Sequence, residues 1–475
     1  MIINPSTAKG IITAPPSKSM AHRNLICAAL ANGKSIIHNI DFSEDIKATI
    51  SCLESLGIKI QVTSDDDNAT STSGTTLTVF GTGGKFTEQP HSLFCNESGS
   101  TLRFFIPIAM LSEQEAVFTG SQTLLSRPLS VYEEICKTQG ITFERLEGSA
   151  TTQANQASQS NHTETQSELT GTTPSYKQLK LHGKLQPGNF TIPGNISSQF
   201  ITGLLFVLPL LDSDSTITLT NSIESRAYIN MTIQTQKSFG IKIEWQNENT
   251  LHISGNQHYT ASEQTVEGDY SNAAFFEAFN YCGNIKSSHN AKDSEKLVQI
   301  KGLNSQSLQG DKIYSKHFEA LKQGFTTIDI SDCPDLGPIL FVVAAMNHGG
   351  RFTGTKRLKI KESDRGTVMC KELAKLGITT SQSENEIEIS PMQTKVPTKA
   401  QVPSKGTVSQ SVTLLGHNDH RIVMALTVLL SKVGGNIKGV EAVKKSLPDF
   451  FARIRKLGID FKPESDGEKI YGLDY

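Results

Sequence analysis

Apolar residues recur along this chain in two kinds of segment that take turns. One kind is an amphipathic stretch that ends in glycine and passes into a β-rich run, at residues 52–60, 135–143, 236–245, 319–325, 373–378 and 454–461. Its glycines, Gly57, Gly140, Gly240, Gly324, Gly377 and Gly458, suit the position just past a helix, where a left-handed backbone is free of strain without a Cβ. The Ile or Phe that follows starts a strand. The other kind lies upstream of each glycine and pairs a polar start with a small-residue apolar helix, at residues 19–31, 98–110, 197–206, 269–278, 335–345 and 419–428. A helix apolar on all sides belongs inside. Six such helices, each with an amphipathic partner and strands, predict an α/β protein whose sheets wrap around buried helices.

The polar starts carry the chemistry. Residues 15–23 read Pro-Pro-Ser-Lys-Ser-Met-Ala-His-Arg. The prolines hold the backbone extended, and Ser17 or Ser19 can cap the helix. Lys18, Ser19 and Arg23 then gather at a helix N-terminus, where free N–H groups already favour an anion. Residues 418–421, Asn-Asp-His-Arg, open another apolar helix, and residues 356–365 alternate charge with apolar side chains before an amphipathic helix starting at Ser363 or Asp364. Arg127 follows a strand and a Gly-Ser turn, and Lys445 stands just before a helix with Pro448 near its first turn. Six helix starts bearing Ser, Arg, Asp or His predict one convergent site. Lys18, Arg23, Arg127, Lys361, Arg365, Arg421 and Lys445 beside Asp335 and Glu362 describe a pocket for small polyanions, suited to transfer or acid–base chemistry on phosphorylated acids.

Composition narrows the classes. The 475 residues exceed one ordinary core, which predicts two domains. The net charge of −2 argues against nucleic acid as a partner. No apolar run approaches the ~18–20 residues of a membrane span, and residues 1–7 lack the features of a signal peptide, so a cytoplasmic protein is expected. The seven cysteines show no metal spacing and read as buried thiols, so neither metal nor cofactor is expected. Glycine-rich nucleotide loops and a Ser-His-Asp signature are absent. Residues 147–176 and 394–411, almost without large apolar side chains, predict two loops, the first long and mobile.

The motifs taken together resemble a known family. Pro-Ser-Lys-Ser…Arg, Ser-Gly-Ser-Thr-Leu-Arg, Ser-Arg-Pro, Ser-Ser-Gln, Gly-Asp-Tyr-Ser-Asn-Ala-Ala, Pro-Asp, Lys-Glu-Ser-Asp-Arg, Asn-Asp-His-Arg and Lys-Ser-Leu-Pro-Asp-Phe-Phe appear in the order found in the 5-enolpyruvylshikimate-3-phosphate synthases. The resemblance implies a two-domain enolpyruvyl transferase fold of six βαβαββ repeats, three per domain, with helices packed inside sheets. It further implies a discontinuous domain of residues 1–16 and 263–475 and an inserted domain of residues 17–262. The implied reaction moves the carboxyvinyl group of phosphoenolpyruvate to the 5-hydroxyl of shikimate 3-phosphate, a step towards aromatic amino acids, through a tetrahedral intermediate. Lys18, Gly99, Arg127, Gln199, Arg365, Arg421 and Lys445 would hold phosphoenolpyruvate. Ser19, Arg23, Ser197, Ser198, Gln199, Ser225, Tyr228, Asp335 and Lys361 would hold shikimate 3-phosphate. Asp335 would take the hydroxyl proton, with Glu362 and Lys18 as candidates for moving the proton at the methylene carbon. A monomer is expected, its domains closing on the substrates because cations from both halves would repel one another when empty.

Three positions depart from the family's pattern. Glu97-Ser-Gly-Ser100 stands where Asn-Ala-Gly-Thr is frequent, Thr123 stands where many members carry a second Arg, and the polar residue before Lys-Glu-Ser-Asp-Arg falls near Arg357. The rival acceptor, UDP-N-acetylglucosamine, belongs to a sister family that typically has a Cys where this chain has Gln122. A non-enzymatic ring around nucleic acid would explain the repeats but would want a basic inner surface.

Overall fold

The computed structural model describes residues 1–63, 74–147, 176–282, 297–393 and 412–463. The two low-complexity loops therefore lie outside the described residues, apart from positions 147 and 176 of the first.

One repeat shows the plan. Strand His91–Phe94 leads into helix Gly99–Ala109, strand Ala116–Thr119, helix Ser130–Gln139 and a hairpin of Thr142–Glu147 with Tyr176–His182. The first two strands pair in parallel and the hairpin adds antiparallel, giving a βαβαββ unit. Its register sets Leu93, Phe118 and Leu179 side by side on the buried face. The same order of one parallel and two antiparallel pairings recurs in the sheets built around Ser215–Thr220 and around Gly350–Thr353. Other units borrow strands from afar. Ile2–Ile3 completes the sheet of Gly435–Lys438, Gly10–Thr13 pairs with Val298–Lys301, and Glu263–Thr265 pairs with Ala31–Ile40.

The six predicted apolar helices form at Lys18–Leu30, Gly99–Ala109, Ser198–Val207, Tyr270–Tyr281, Gly337–Ala345 and His420–Val433. Each is buried along nearly its whole length, and Gly337–Ala345 has no exposed side at all. Small residues let them approach: a Cβ on Gly203 would stand 2.7 Å from the Arg103 carbonyl oxygen, where the Gly99 and Ser198 helices cross. Five of the six repeat glycines have positive φ, from 69° at Gly140 to 92° at Gly57. Gly324 departs from the expectation: its φ of 172° is extended backbone that any residue adopts.

Two hydrophobic clusters result. One gathers side chains from Ala21 to Val266, the other those of Met1, Ile3, Ala8 and Ile12 with Tyr270 to Phe461. The chain passes between them twice, and the two passages pair with each other. Ser17 N–H donates to Glu267 O and Asp269 N–H to Pro15 O, both at 2.8 Å, around a bridge between Pro16 and Gly268. Among the described residues no helix is long and apolar enough to cross a membrane. All seven cysteines are buried and free.

Candidate active site

The starts of all six apolar helices face one cleft between the two clusters. Lys18, Ser19 and Arg23, Gly99 and Ser100, Ser197–Gln199, Asp269 and Asn272, Asp335, and His420 with Arg421 each come from a different helix start. Side-chain caps set these starts: Ser98 Oγ accepts from Thr101 N–H, Ser197 Oγ from Gln199 N–H, and Asp419 Oδ1 from Arg421 N–H. Ser17 is the N-cap of the first helix but its hydroxyl makes no capping bond. The carboxylate of Asp269 serves there instead, accepting from Lys18 N–H at 3.2 Å while also capping its own helix through Asn272 N–H.

Every site residue expected from the sequence lines this cleft except Lys445. Lys445 lies at its rim, at the end of a 3-10 turn rather than at a helix start. Its Nζ donates to the Asn418 carbonyl at 2.5 Å, lies 3.7 Å from Glu362 Oε2 and pairs with Glu97. Arg23 is tied by Nε to Thr232 Oγ1 at 2.9 Å and by Nη2 to the Tyr228 carbonyl at 3.1 Å. Gln199 accepts from Arg103 Nη1 at 2.7 Å and donates to Ser100 at 2.9 Å. Gly99 leaves room for Arg127, since a Cβ there would be 2.7 Å from Arg127 Nη1 and that side chain would have to move.

Eight Lys and Arg side chains line the cleft against four carboxylates, so it is electropositive. Asp335 sits among three of those cations, with Arg365 Nη1 at 2.8 Å, Lys361 Nζ at 3.1 Å and Arg421 Nη2 at 3.5 Å. Burial opposes its charge, but Lys361, Arg421 and Arg365 outweigh that and hold the carboxyl well below its ordinary range. Glu362 is likewise held ionised against burial, by His420 at 3.0 Å and by Arg365 and Lys445. Burial brings Lys361 down to about 8 and keeps His420 below its usual value. Arg365 moves up despite its burial because Asp419, Asp335 and Glu362 surround it. Lys18 Nζ meets Asp45 at 2.5 Å. The cations are thus interleaved with carboxylates, which offset part of the repulsion expected between the halves, although cations remain in excess. Several donors nevertheless remain unsatisfied: Arg421 Nε and Nη1, Arg127 Nε and Arg103 Nε are buried with no partner. A buried guanidinium N–H without an acceptor is costly, and an anion in the cleft would relieve it.

Glu362, Asp419 and His420 bring their ligand atoms within 4.8 Å of one another, close enough for a metal ion. Arg365 already binds Asp419 through Nε at 2.8 Å, and Lys445 lies beside Glu362. Their charge is compensated by fixed cations that would repel a metal.

A sequence profile of the EPSP synthases (3-phosphoshikimate 1-carboxyvinyltransferases) matches residues 2–454. The chain belongs to this family. It is 39% identical over 476 residues to the 3-phosphoshikimate 1-carboxyvinyltransferase of Clostridium novyi, covering 96% of this chain and 97% of that one. The Clostridium acetobutylicum enzyme of the same name is 37% identical, with coverage of 98% and 99%. Among solved structures, the EPSP synthase of Acinetobacter baumannii superposes with a TM-score of 0.66 at 20% identity, over 96% of this chain and 97% of that one. The enolpyruvyl transferase NikO of Streptomyces tendae reaches 0.64 at 11% identity, over 97% of each chain. The enolpyruvyl transferase fold implied by the family resemblance is therefore the observed one.

Within this family site, sequence reasoning passed over several cleft residues. Arg103 was within reach, standing one helical turn after Gly99 and hence on the same helix face. Arg357, named from the sequence only as lying near an expected polar residue, donates to Ser225 Oγ at 2.5 Å and to the Ser331 carbonyl at 3.2 Å, tying the two halves together. Asp45 gave no signal, because it lies in the first turn of an amphipathic helix, where an acid is ordinary.

Proposed function

We propose that this chain transfers the enolpyruvyl group of phosphoenolpyruvate to the 5-hydroxyl of shikimate 3-phosphate and releases phosphate. The observation that carries this reading is the set of buried, unpartnered guanidinium donors on Arg103, Arg127 and Arg421 in a cleft fed by six helix N-termini. Membership of the family, and relatives named for this activity, support the choice of substrates.

In this reading Lys18, Gly99, Arg127, Gln199, Arg365, Arg421 and Lys445 receive phosphoenolpyruvate. Ser19, Arg23, Ser197, Ser198, Gln199, Ser225, Tyr228, Asp335 and Lys361 receive shikimate 3-phosphate. The 5-hydroxyl oxygen bonds to C2 of phosphoenolpyruvate as its proton passes to Asp335 and C3 gains a proton. Phosphate then leaves C2 as C3 returns a proton. Asp335 is a weak base while three cations hold it. The phosphate and carboxylate of phosphoenolpyruvate would offset Arg365 and Arg421 and raise its basicity, so the base becomes competent only when the co-substrate is bound. Glu362 is held ionised and has no proton to give, which supports Lys18 as donor to C3 and Glu362 as acceptor when phosphate departs. The fixed cations favour the added negative charge of the intermediate.

The two hydrophobic clusters support a division into residues 1–16 with 263–475 and residues 17–262, although strand Glu263–Thr265 pairs on the side of the second of these. We take the working form to be a cytoplasmic monomer.

The test is phosphate release from phosphoenolpyruvate with shikimate 3-phosphate or with UDP-N-acetylglucosamine, no metal added. Release only with the first, lost in Asp335→Ala, is expected. Release only with the nucleotide sugar overturns the acceptor, and release with neither overturns the reaction.

A further inference from the structure

Asn272 has no part in the chemistry above, yet it is held at a fixed place in the cleft. Asp269 Oδ1 caps its backbone N–H, and the turn around it is clasped by residues 304–311. Gln309 Oε1 accepts from Tyr270 N–H at 2.9 Å, while Gln309 Nε2 donates to Glu267 Oε1 at 2.7 Å and to the Gly268 carbonyl at 2.8 Å. Ser271 Oγ donates to Asp311, and Tyr270 Oη donates to the Asn304 carbonyl at 2.9 Å. Residues 270–272 and 304–311 lie in the half that runs from Tyr270 to Phe461, so the placement of Asn272 does not depend on how the two halves stand to one another.

The side chain itself is unsatisfied. Asn272 is 1% exposed and lines the cleft, and its Oδ1 is buried with no hydrogen-bond partner. A buried carbonyl oxygen without a donor is costly, and one held so firmly calls for a ligand. The unsatisfied guanidinium groups of Arg103, Arg127 and Arg421 can only donate, whereas Asn272 Oδ1 can only accept. Arg421 stands over Phe275, one helical turn from Asn272, with 5.7 Å between its guanidinium carbon and the ring centre. Since Arg421 Nη2 is also 3.5 Å from Asp335, the amide belongs to the part of the cleft where the acceptor hydroxyl gives up its proton in the reaction above.

We propose that Asn272 is a further binding residue for the acceptor substrate, its Oδ1 taking a hydrogen bond from a ring hydroxyl. The identity of that substrate rests on the reaction proposed above. Ionised phosphoenolpyruvate brings only acceptor oxygens, which suit the guanidinium donors and not Asn272 Oδ1. Shikimate 3-phosphate brings two free hydroxyls, at C4 and C5, and these are the donors that the pair of substrates carries. The contact selects a hydroxylated ring, because an analogue without the engaged hydroxyl leaves Oδ1 buried and unpaired.

One variant and three readouts test this. Asn272→Leu keeps the size of the side chain without its polar atoms. Because Oδ1 has no partner within the protein, the melting temperature of the ligand-free variant should be unchanged or higher. Calorimetry should find shikimate 3-phosphate bound about tenfold more weakly, the loss of one neutral hydrogen bond. Titration with the 4-deoxy and 5-deoxy analogues identifies the hydroxyl. The parent should bind one of them about tenfold more weakly than shikimate 3-phosphate, and the variant should bind that analogue and shikimate 3-phosphate alike. A melting temperature lowered by several degrees assigns the amide to the fold and overturns the proposal. Shikimate 3-phosphate bound equally by parent and variant overturns it too, as does the same penalty for each missing hydroxyl in both proteins; in these cases the reaction assignment stands. A parent that binds no shikimate 3-phosphate overturns the acceptor assignment and this contact together.

Discussion

Asp419 is a fully buried charge beside the cleft, and replacing it has a calculable cost. Its side chain is fully buried and accepts from Arg365 Nε at 2.8 Å and Nη2 at 3.2 Å, from Ser363 Oγ at 3.0 Å and from Arg421 N–H at 2.9 Å. Asp419→Ala removes a helix cap, worth about 1 kcal/mol. It also leaves Arg365, 2% exposed, without its main counter-ion, and breaking a buried pair from one side costs about 3–5 kcal/mol. Asp335 still holds Nη1 at 2.8 Å, so the lower end applies and the sum is about 4 kcal/mol. Asp419→Asn keeps a capping oxygen and should cost about 3 kcal/mol. Against a total stability of about 5–15 kcal/mol, either loss is large. Urea unfolding followed by far-UV circular dichroism reads both halves, while fluorescence of Trp245, the single tryptophan, reads the half that Asp419 does not belong to. The dichroism midpoint should fall in both variants, and the Trp245 transition should move less. Both variants unfolding within about 1 kcal/mol of the parent would refute the reasoning, because Arg365 would then be stabilised by solvent rather than by its partner.

Other consequences follow from the same cleft. Asp335→Asn should lower kcat at least about a hundredfold, the usual contribution of a positioned base, while calorimetry finds phosphoenolpyruvate bound no more weakly. Burial brings Lys361 from 10.5 to about 8, so its charge is present below that pH and lost above it. KM for shikimate 3-phosphate should therefore rise as pH climbs through 8. Stability runs the opposite way: between about 8 and 10.5 the unfolded chain binds the extra proton, so the melting temperature gains an increment there that Lys361→Met lacks. Gly99→Ala puts a Cβ 2.7 Å from Arg127 Nη1, the end of a flexible side chain that must yield. Steady-state kinetics should show KM for phosphoenolpyruvate raised about tenfold through a weakened charge-assisted contact, with the melting temperature nearly unchanged.

Much of this protein is written locally in its sequence. The six apolar helices, the glycines that end their amphipathic partners and the polar helix starts all depend on φ/ψ preferences and on neighbours three or four residues away. Such signals survive in the linear order of residues, and nine short motifs in sequence carried the family. Which charges would meet was not legible in the same way. Asp269 caps a helix that begins 251 residues earlier, and Asn418 binds a carboxylate 321 residues away. Asp45 looks like an ordinary surface acid until the fold sets it against Lys18, and the departure at Glu97 did not reveal Lys445 as its partner. The sequence alone determined where helices start and which side chains they carry to their ends. Only the tertiary structure decided how the cations of the cleft are neutralised, because charge pairing depends on distance and burial, and both arise when the two halves come together.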